Sequence, residues 1–244
     1  KMKISFLTSC MDRCHHLKKT YLKNIENSKP TSNCEVEFVL LNYNSKDDLT
    51  SWVEKTKFSQ NFRFLTTDKP TQFSMSKTKN ILGRNATGDI LCWLDADNYT
   101  QRGFVDYVVS VYTKQPNSAL RVTWSNQTQG MCGRVVCRKS DFIKIGGYDE
   151  QLTGWGYEEL DFCKRLEKTG INMIELPYPF LGKIQHTDAD RFKNYPTNLV
   201  EKLPSNHICS QMNTKSNYLN FKLSEKNIKR NKFIANKNSD WGII

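Results

Sequence analysis

The sequence predicts an α/β fold: an open, mainly parallel central sheet with helices on both faces. Two observations carry that prediction. Short apolar, β-rich runs alternate with segments of helical periodicity through the N-terminal half. No Gly/Ser- or Pro-rich linker divides the 244 residues, so the alternation belongs to one core rather than two.

The elements follow in order. Residues 3–7 form a short apolar strand. Residues 14–27 place Leu17, Tyr21, Leu22 and Ile25 near helical spacing. Residues 35–42 (EVEFVLLN) read as a buried strand, and 48–57 as a helix with Leu49, Trp52 and Val53 on one side. A short strand at 62–65, a helix at 74–85 and a strongly apolar strand at 90–94 (ILCWL) complete the rhythm. Beyond it come a helix at 104–112, a strand at Val135-Val136, a turn at Gly146-Gly147, a helix at 158–168 and a strand-like run over 174–184. From about Leu203 the chain is polar and basic with weak periodicity, which suits a helical tail or a partly disordered one. In such sheets ligands bind where strands end, so the residues just past Leu7, Leu41 and Leu94 are the first candidates for a site.

Composition narrows the class. No run of about 18 apolar residues is present, so no transmembrane helix is expected. The first apolar stretch, Ile4-Ser5-Phe6-Leu7, is too short for a signal peptide. The eight cysteines (Cys10, Cys14, Cys34, Cys92, Cys132, Cys137, Cys163 and Cys209) are scattered and read as free thiols, which with the missing leader predicts a cytoplasmic protein. The formal charge of +11 draws anionic partners, but much of it is local. Lys215, Lys222, Lys226, Lys229, Arg230, Lys232 and Lys237 stand against Glu225 alone. That basic tail reads as solvated surface, with contact to an anionic surface as the functional alternative. No RNA-recognition, zinc-finger or KH signature occurs, so nucleic acid is not expected as a partner.

Four motifs carry chemistry. Asp95-Ala96-Asp97 follows the buried strand at once, and alternate carboxylates at a strand end can converge on Mg2+ or Mn2+, a cation that bridges to a diphosphate. A solvated loop or a helix cap is the plain alternative. An EF-hand is excluded, because Thr100 and Asp106 stand where a Gly and a Glu are needed. Upstream, Ser76-Lys77-Thr78-Lys79-Asn80 and Arg84 offer three cations to donor phosphates or to Asp95, unless they simply line a solvated face. Gly154-Trp155-Gly156-Tyr157-Glu158-Glu159 brackets an aromatic with glycines and opens an acidic helix. Its Trp can pack on the apolar face of a sugar while an acid takes a hydroxyl proton, although acids in a first turn also complement the helix dipole. Glu158 and Asp161 share a helix face; Glu159 points elsewhere. His186, in Gln185-His186-Thr187-Asp188, can complete a metal shell or be an ordinary histidine.

In this order the segments resemble the nucleotide-sugar glycosyltransferases of the GT-A (Rossmann-like) fold, over residues 3–192. The first half looks like glycosyltransferase family 2: a Ser-x-Ala-Arg-Asn-like helix at Ser76 to Asn80 with Lys79 in place of Arg, then Ala86-Thr87-Gly88 and Leu94-Asp95-Ala96-Asp97. The second half is similar to the C-terminal part of the beta-1,4-galactosyltransferase family. Its Gly-Trp-Gly-Gly-Glu-Asp-Asp block corresponds to Gly154 through Leu160, with Tyr157 for the third Gly and Glu159 for the first Asp.

The resemblance implies an inverting, metal-dependent transfer of a hexosyl or N-acetylhexosaminyl group from a UDP-sugar to a glycan or other hydroxyl acceptor. It implies a catalytic domain over 1–202, with a nucleotide-sugar half at about 1–100, an acceptor half at about 101–202, and a basic tail or helix over 203–244. Asp97 and His186 would hold Mn2+ or Mg2+, and Asp95 would lie on the ribose or the metal. Glu159 would be the catalytic base; Trp155 and Glu158 would face the sugars. Thr8 and Arg13, Asn44 or Asp47, and Lys79 would flank the nucleotide and its phosphates. Gly154 and Gly156 would let their loop move over the donor. No Gln-x-x-Arg-Trp is present, which implies a non-processive enzyme. The rival reading is a nucleic-acid or anionic-glycan binding protein on an inactive fold of this kind, against which Asp97, Glu159 and His186 all speak.

Overall fold

A computed structural model describes residues 1–59, 61–203 and 214–244. Cys209 lies outside the described residues. The first half runs β1 (Met2–Cys10), α1 (Cys14–Asn27), β2 (Cys34–Tyr43), α2 (Leu49–Lys55), β3 (Phe62–Thr67), α3 (Met75–Asn85) and β4 (Ile90–Trp93). The second continues with β5 (Asn98–Thr100), α4 (Phe104–Lys114), β6 (Ser118–Arg121), β7 (Val135–Arg138), α5 (Lys139–Lys144), α6 (Glu158–Lys168), β8 (Asn172–Glu175) and β9 (Leu181–Lys183). Two short helices, α7 (Asp188–Phe192) and α8 (Thr197–Val200), precede α9 (Lys215–Lys229).

Seven strands form one sheet in the order β3-β2-β1-β4-β7-β6-β8. All its pairs are parallel except those that β7 makes with β4 and β6. The apolar runs are continuous because both faces of the sheet are covered, and the pleat sends alternate residues to opposite sides. Ile4, Phe6, Phe38, Leu40, Ile90 and Cys92 pack with Leu17 and Tyr21 of α1 and Phe104 and Val108 of α4. Leu7, Val39, Leu41, Leu91 and Trp93 face the other way, onto Ile81 and Leu82 of α3, Phe142 of α5 and Phe162 of α6.

The turn that launches β4 has a polar anchor. Glu37 is buried within β2, and its carboxylate accepts from Ser5 Oγ at 2.5 Å, Thr87 N at 2.5 Å and Thr87 Oγ1 at 2.7 Å. A Cβ at Gly88 would lie 2.5 Å from Ser5 Oγ and 2.8 Å from the Lys3 carbonyl oxygen. Ala86-Thr87-Gly88 is thus the passage by which the chain crosses beside β1.

Three expectations change. Residues 174–184 are not one strand: Pro177 and Pro179 remove two backbone donors, and the run splits into β8, a single 3-10 turn at Tyr178–Phe180, and β9, which pairs with β5 in a separate two-stranded sheet. The short strands β5 and β6 were not anticipated. The basic tail is more than solvated surface. Ser216, Asn217, Asn220 and Ser224 on one side of α9 are buried, while Lys222, Lys226, Lys229 and Arg230 are exposed. The chain then returns to the core, where Trp241 meets Phe142 at 5.5 Å between ring centroids. That buried face is polar, which explains its silence in a hydrophobic pattern. Among the described residues no helix is long and apolar enough to cross a membrane.

Candidate active site

The acidic loop begins where β4 ends. The Leu94 amide still donates to the Leu7 carbonyl at 2.9 Å, and Asn98 N then closes a tight turn onto the Asp95 carbonyl at 2.9 Å. Helix α1 pins this turn from one side. Thr20 Oγ1 donates to the Ala96 carbonyl at 2.6 Å, Asn24 Nδ2 to the Asn98 carbonyl at 3.0 Å, and Asn24 Oδ1 accepts from Thr100 N at 2.7 Å. Asp95 and Asp97 therefore leave the sheet in a fixed direction.

Asp97 is buried and faces His186 Nε2 through Oδ2; the same oxygen lies 3.3 Å from the Arg13 guanidinium, and Oδ1 accepts from Asn98 Nδ2 at 2.8 Å. Burial pushes this carboxyl up, but the His186 hydrogen bond and the Arg13 charge outweigh it and bring it down to about 2. His186 is raised in turn, chiefly by its hydrogen bond to Asp97. Its Nδ1 lies 3.0 Å from the Thr187 carbonyl, to which only an N–H can donate. Protonated at both nitrogens, the ring donates through Nε2 to Asp97 and through Nδ1 to that carbonyl. Loss of the Nε2 proton would leave two lone-pair atoms face to face, a place that a cation could take if the two side chains part. One carboxylate oxygen and one imidazole nitrogen are donors of a kind that would suit Mn2+. Among the described residues no group of three or more His, Cys, Asp or Glu side chains is placed to hold a metal ion.

Asp95 belongs to a second group. It is pushed up to about 6 by burial and by the charges of Asp97 and Glu159, against the pull of Lys79 and Arg13. Gly133, which precedes β7, leaves it room: a Cβ there would lie 2.1 Å from Asp95 Oδ2. Lys79 of α3 is buried, and its Nζ donates to the Gly133 carbonyl at 2.8 Å and to Glu159 Oε1 at 2.5 Å. Burial alone would lower this lysine, but the charges of Glu159, Asp95 and Glu158 hold it above its usual value. Beside it Glu158 is buried, its Oε1 without a hydrogen-bond partner among the described residues, and burial together with the Glu159 charge pushes it up to about 8.

The fold thus brings Arg13, Lys79, Asp95, Asp97, Glu158, Glu159 and His186 to one end of the sheet. Trp155 sits on the rim, edge-on to Phe192 at 5.4 Å, with the Arg191 guanidinium 5.6 Å from its ring centroid. Thr8 is buried within β1. Asn44 ties its loop to the one after β3: it has φ +57°, donates to the Pro70 carbonyl at 2.7 Å and accepts from Lys46 Nζ at 2.6 Å. Asp47 caps α1, accepting from Cys14 N at 2.8 Å. Lys79 contacts Glu159 and lies near Asp95.

Several residues of the site gave no signal in the sequence. His16, buried and lowered to about 4 by desolvation and the Arg13 charge, accepts from Arg13 Nε at 3.1 Å and so holds that guanidinium toward Asp97. Thr20, Asn24 and Gly133 belong to no motif; only Asn98 adjoins one.

A family model described as the N-terminal domain of galactosyltransferase matches residues 118–190, the part that carries Glu158, Glu159 and His186. No curated protein matches. Among solved structures the chain is similar to TarS residues 1-349 from S. aureus in complex with UDP-GlcNAc, at 12% identity and a TM-score of 0.61, over 76% of this chain and 60% of that one. It is also similar to the mannosyltransferase PcManGT from Pyrobaculum calidifontis in complex with GDP-Man and Mn2+, at 14% identity and a TM-score of 0.60, over 74% of this chain and 56% of that one. The chain therefore spans about three fifths of the TarS fragment. At these identities the likeness shows the fold: the GT-A fold of glycosyltransferases.

Proposed function

We propose that this protein is an inverting, metal-dependent glycosyltransferase that moves a sugar from a UDP-sugar to a hydroxyl of a glycan or other acceptor. One observation carries the reading. A cation-ready pair, Asp97 and His186, and a carboxylate held by a buried lysine, Glu159, meet at one end of a GT-A sheet. Three structural neighbours are complexes with UDP, UDP-GlcNAc or GDP-Man, the last also with Mn2+, which supports a nucleotide-sugar donor and a divalent ion here.

A cation on Asp97 and His186 would offset the charge of the departing diphosphate. Arg13, fixed by His16, adds a positive charge at the same place. Glu159 accepts the acceptor hydroxyl proton as that oxygen attacks the anomeric carbon and the bond to UDP breaks. Lys79 aims Glu159, and its charge opposes the crowding of three acids. Glu158 is buried and backs Glu159 from within the protein.

Calorimetric titration of UDP with and without Mn2+ tests the site. Binding should require the metal in the wild type and be lost in Asp97→Ala. Glu159→Gln should keep that binding and lose transfer when UDP-sugars and GDP-Man are screened as donors. Near-normal turnover in Glu159→Gln would remove the base assignment.

A further inference from the structure

The Gly154-Trp155-Gly156 loop is held from behind by α9, which lies outside the span matched by the family model. Ser216 and Asn220, one turn apart on the buried side of α9, take up its backbone. Trp155 N donates to Ser216 Oγ at 3.0 Å, and Ser216 Oγ donates to the Trp155 carbonyl at 2.8 Å. Asn220 Nδ2 donates to the Thr153 carbonyl at 3.1 Å and the Gly156 carbonyl at 2.8 Å, while Thr153 N donates to Asn220 Oδ1 at 3.2 Å.

The glycines fit this contact. Both have positive φ, +75° at Gly154 and +104° at Gly156, and both are pressed against α9. A Cβ at Gly154 would lie 2.5 Å from Ser216 Cβ, and one at Gly156 2.6 Å from Asn217 Cγ. The pair therefore admits the close approach of α9. Helix α6 begins just after this loop, with Glu158 and Glu159 in its first turn. Lys164 of α6 is tied to Glu225 of α9 at 2.6 Å, so the two helices are joined at a second point.

We propose that Ser216 and Asn220 are positioning residues. By holding residues 153–156 they set the Trp155 ring on the rim and the reach of Glu159 into the site. The roles of Trp155 and Glu159 rest on the glycosyltransferase reading; the clamp itself does not.

The test compares Ser216→Ala and Asn220→Ala with Ser224→Ala. Ser224 is buried on the same side of α9, but among the described residues its hydroxyl has no hydrogen-bond partner. Thermal melts confirm folding, and three readouts follow. Hydrogen exchange at amides 153–157 should speed up about tenfold in the first two variants and not in Ser224→Ala. Mn2+-dependent UDP affinity should stay within about twofold. In UDP-GlcNAc hydrolysis kcat should fall about tenfold with KM unchanged, since a displaced base costs rate rather than donor binding. Unchanged exchange, an equal rise in Ser224→Ala, or a KM that rises in step with the loss of kcat overturns the proposal. A wild type that binds no UDP defeats the enzymatic reading instead, and the exchange comparison then decides the clamp alone.

Discussion

Glu158 shows at the scale of one residue how burial decides chemistry. Its carboxyl ionises at about 8 in the folded chain against an ordinary 4.5, because water is excluded and Glu159 is adjacent. Between those values the folded state keeps a proton that the unfolded state has lost, so stability falls as pH rises through the window. Below it both states are protonated, and the penalty vanishes. We expect urea midpoints of the wild type, measured from pH 4.5 to 8, to decline relative to Glu158→Gln, whose profile should be flatter over that range. Parallel profiles would show that Glu158 is ionised throughout. Gly133 makes the complementary case for space. Its backbone has room for Ala in φ, but the added carbon would overlap Asp95 Oδ2. Gly133→Ala should cost about 1–3 kcal/mol in chemical denaturation, as overpacking does, and weaken UDP binding by pushing Asp95 aside.

Among the elements, α1 links fold to site most directly. One end reaches Asp97 through Arg13, held by His16, and its buried face bonds the acidic loop through Thr20 and Asn24. Asn24 makes three hydrogen bonds there, to Asn98 and Thr100. Asn24→Ala leaves those loop groups buried and unpaired, so it should destabilise by about 1–3 kcal/mol. It should also weaken Mn2+-dependent UDP binding, because the direction of Asp97 depends on the same turn. A urea melt and a titration on one preparation check both. An unchanged affinity would mean that β4 alone orients the acids.

For the whole molecule, the C-terminal residues complete the α3/α5/α6 side of the core. Trp241 packs on Phe142, lies against the Arg84 guanidinium, and has its carbonyl bonded by Arg84 at 3.1 Å. Trp241→Ala should cost about 3–5 kcal/mol in a denaturant melt, the range for removing a large buried aromatic. Changing Lys222, Lys226 and Lys229 together to Gln should leave stability nearly unchanged, since each is exposed and its charge solvated. Equal effects would mean that the tail acts through its charge rather than its packing.

The alternation of strands and helices and the acids placed just past β4 were legible in the sequence, because each rests on local chemistry: apolar runs against helical periodicity, and a carboxylate at a strand end. The same reading reached Asp97, His186, Glu158 and Glu159 through their motifs. It did not reach the pairing of Lys79 with Glu159, 80 residues apart, nor the bonds from α9 to the Gly-Trp-Gly loop, because such meetings depend on how whole helices dock. The polar faces of α1 and α9 are silent in a pattern that looks for apolar stripes, although their buried amides and hydroxyls fix the site. The sequence alone determined which groups are available and where the chain bends to present them. Only the tertiary structure decided which carboxylate meets the lysine and which helix backs the Gly-Trp-Gly loop, since nearest neighbours in space are set by packing and not by spacing along the chain.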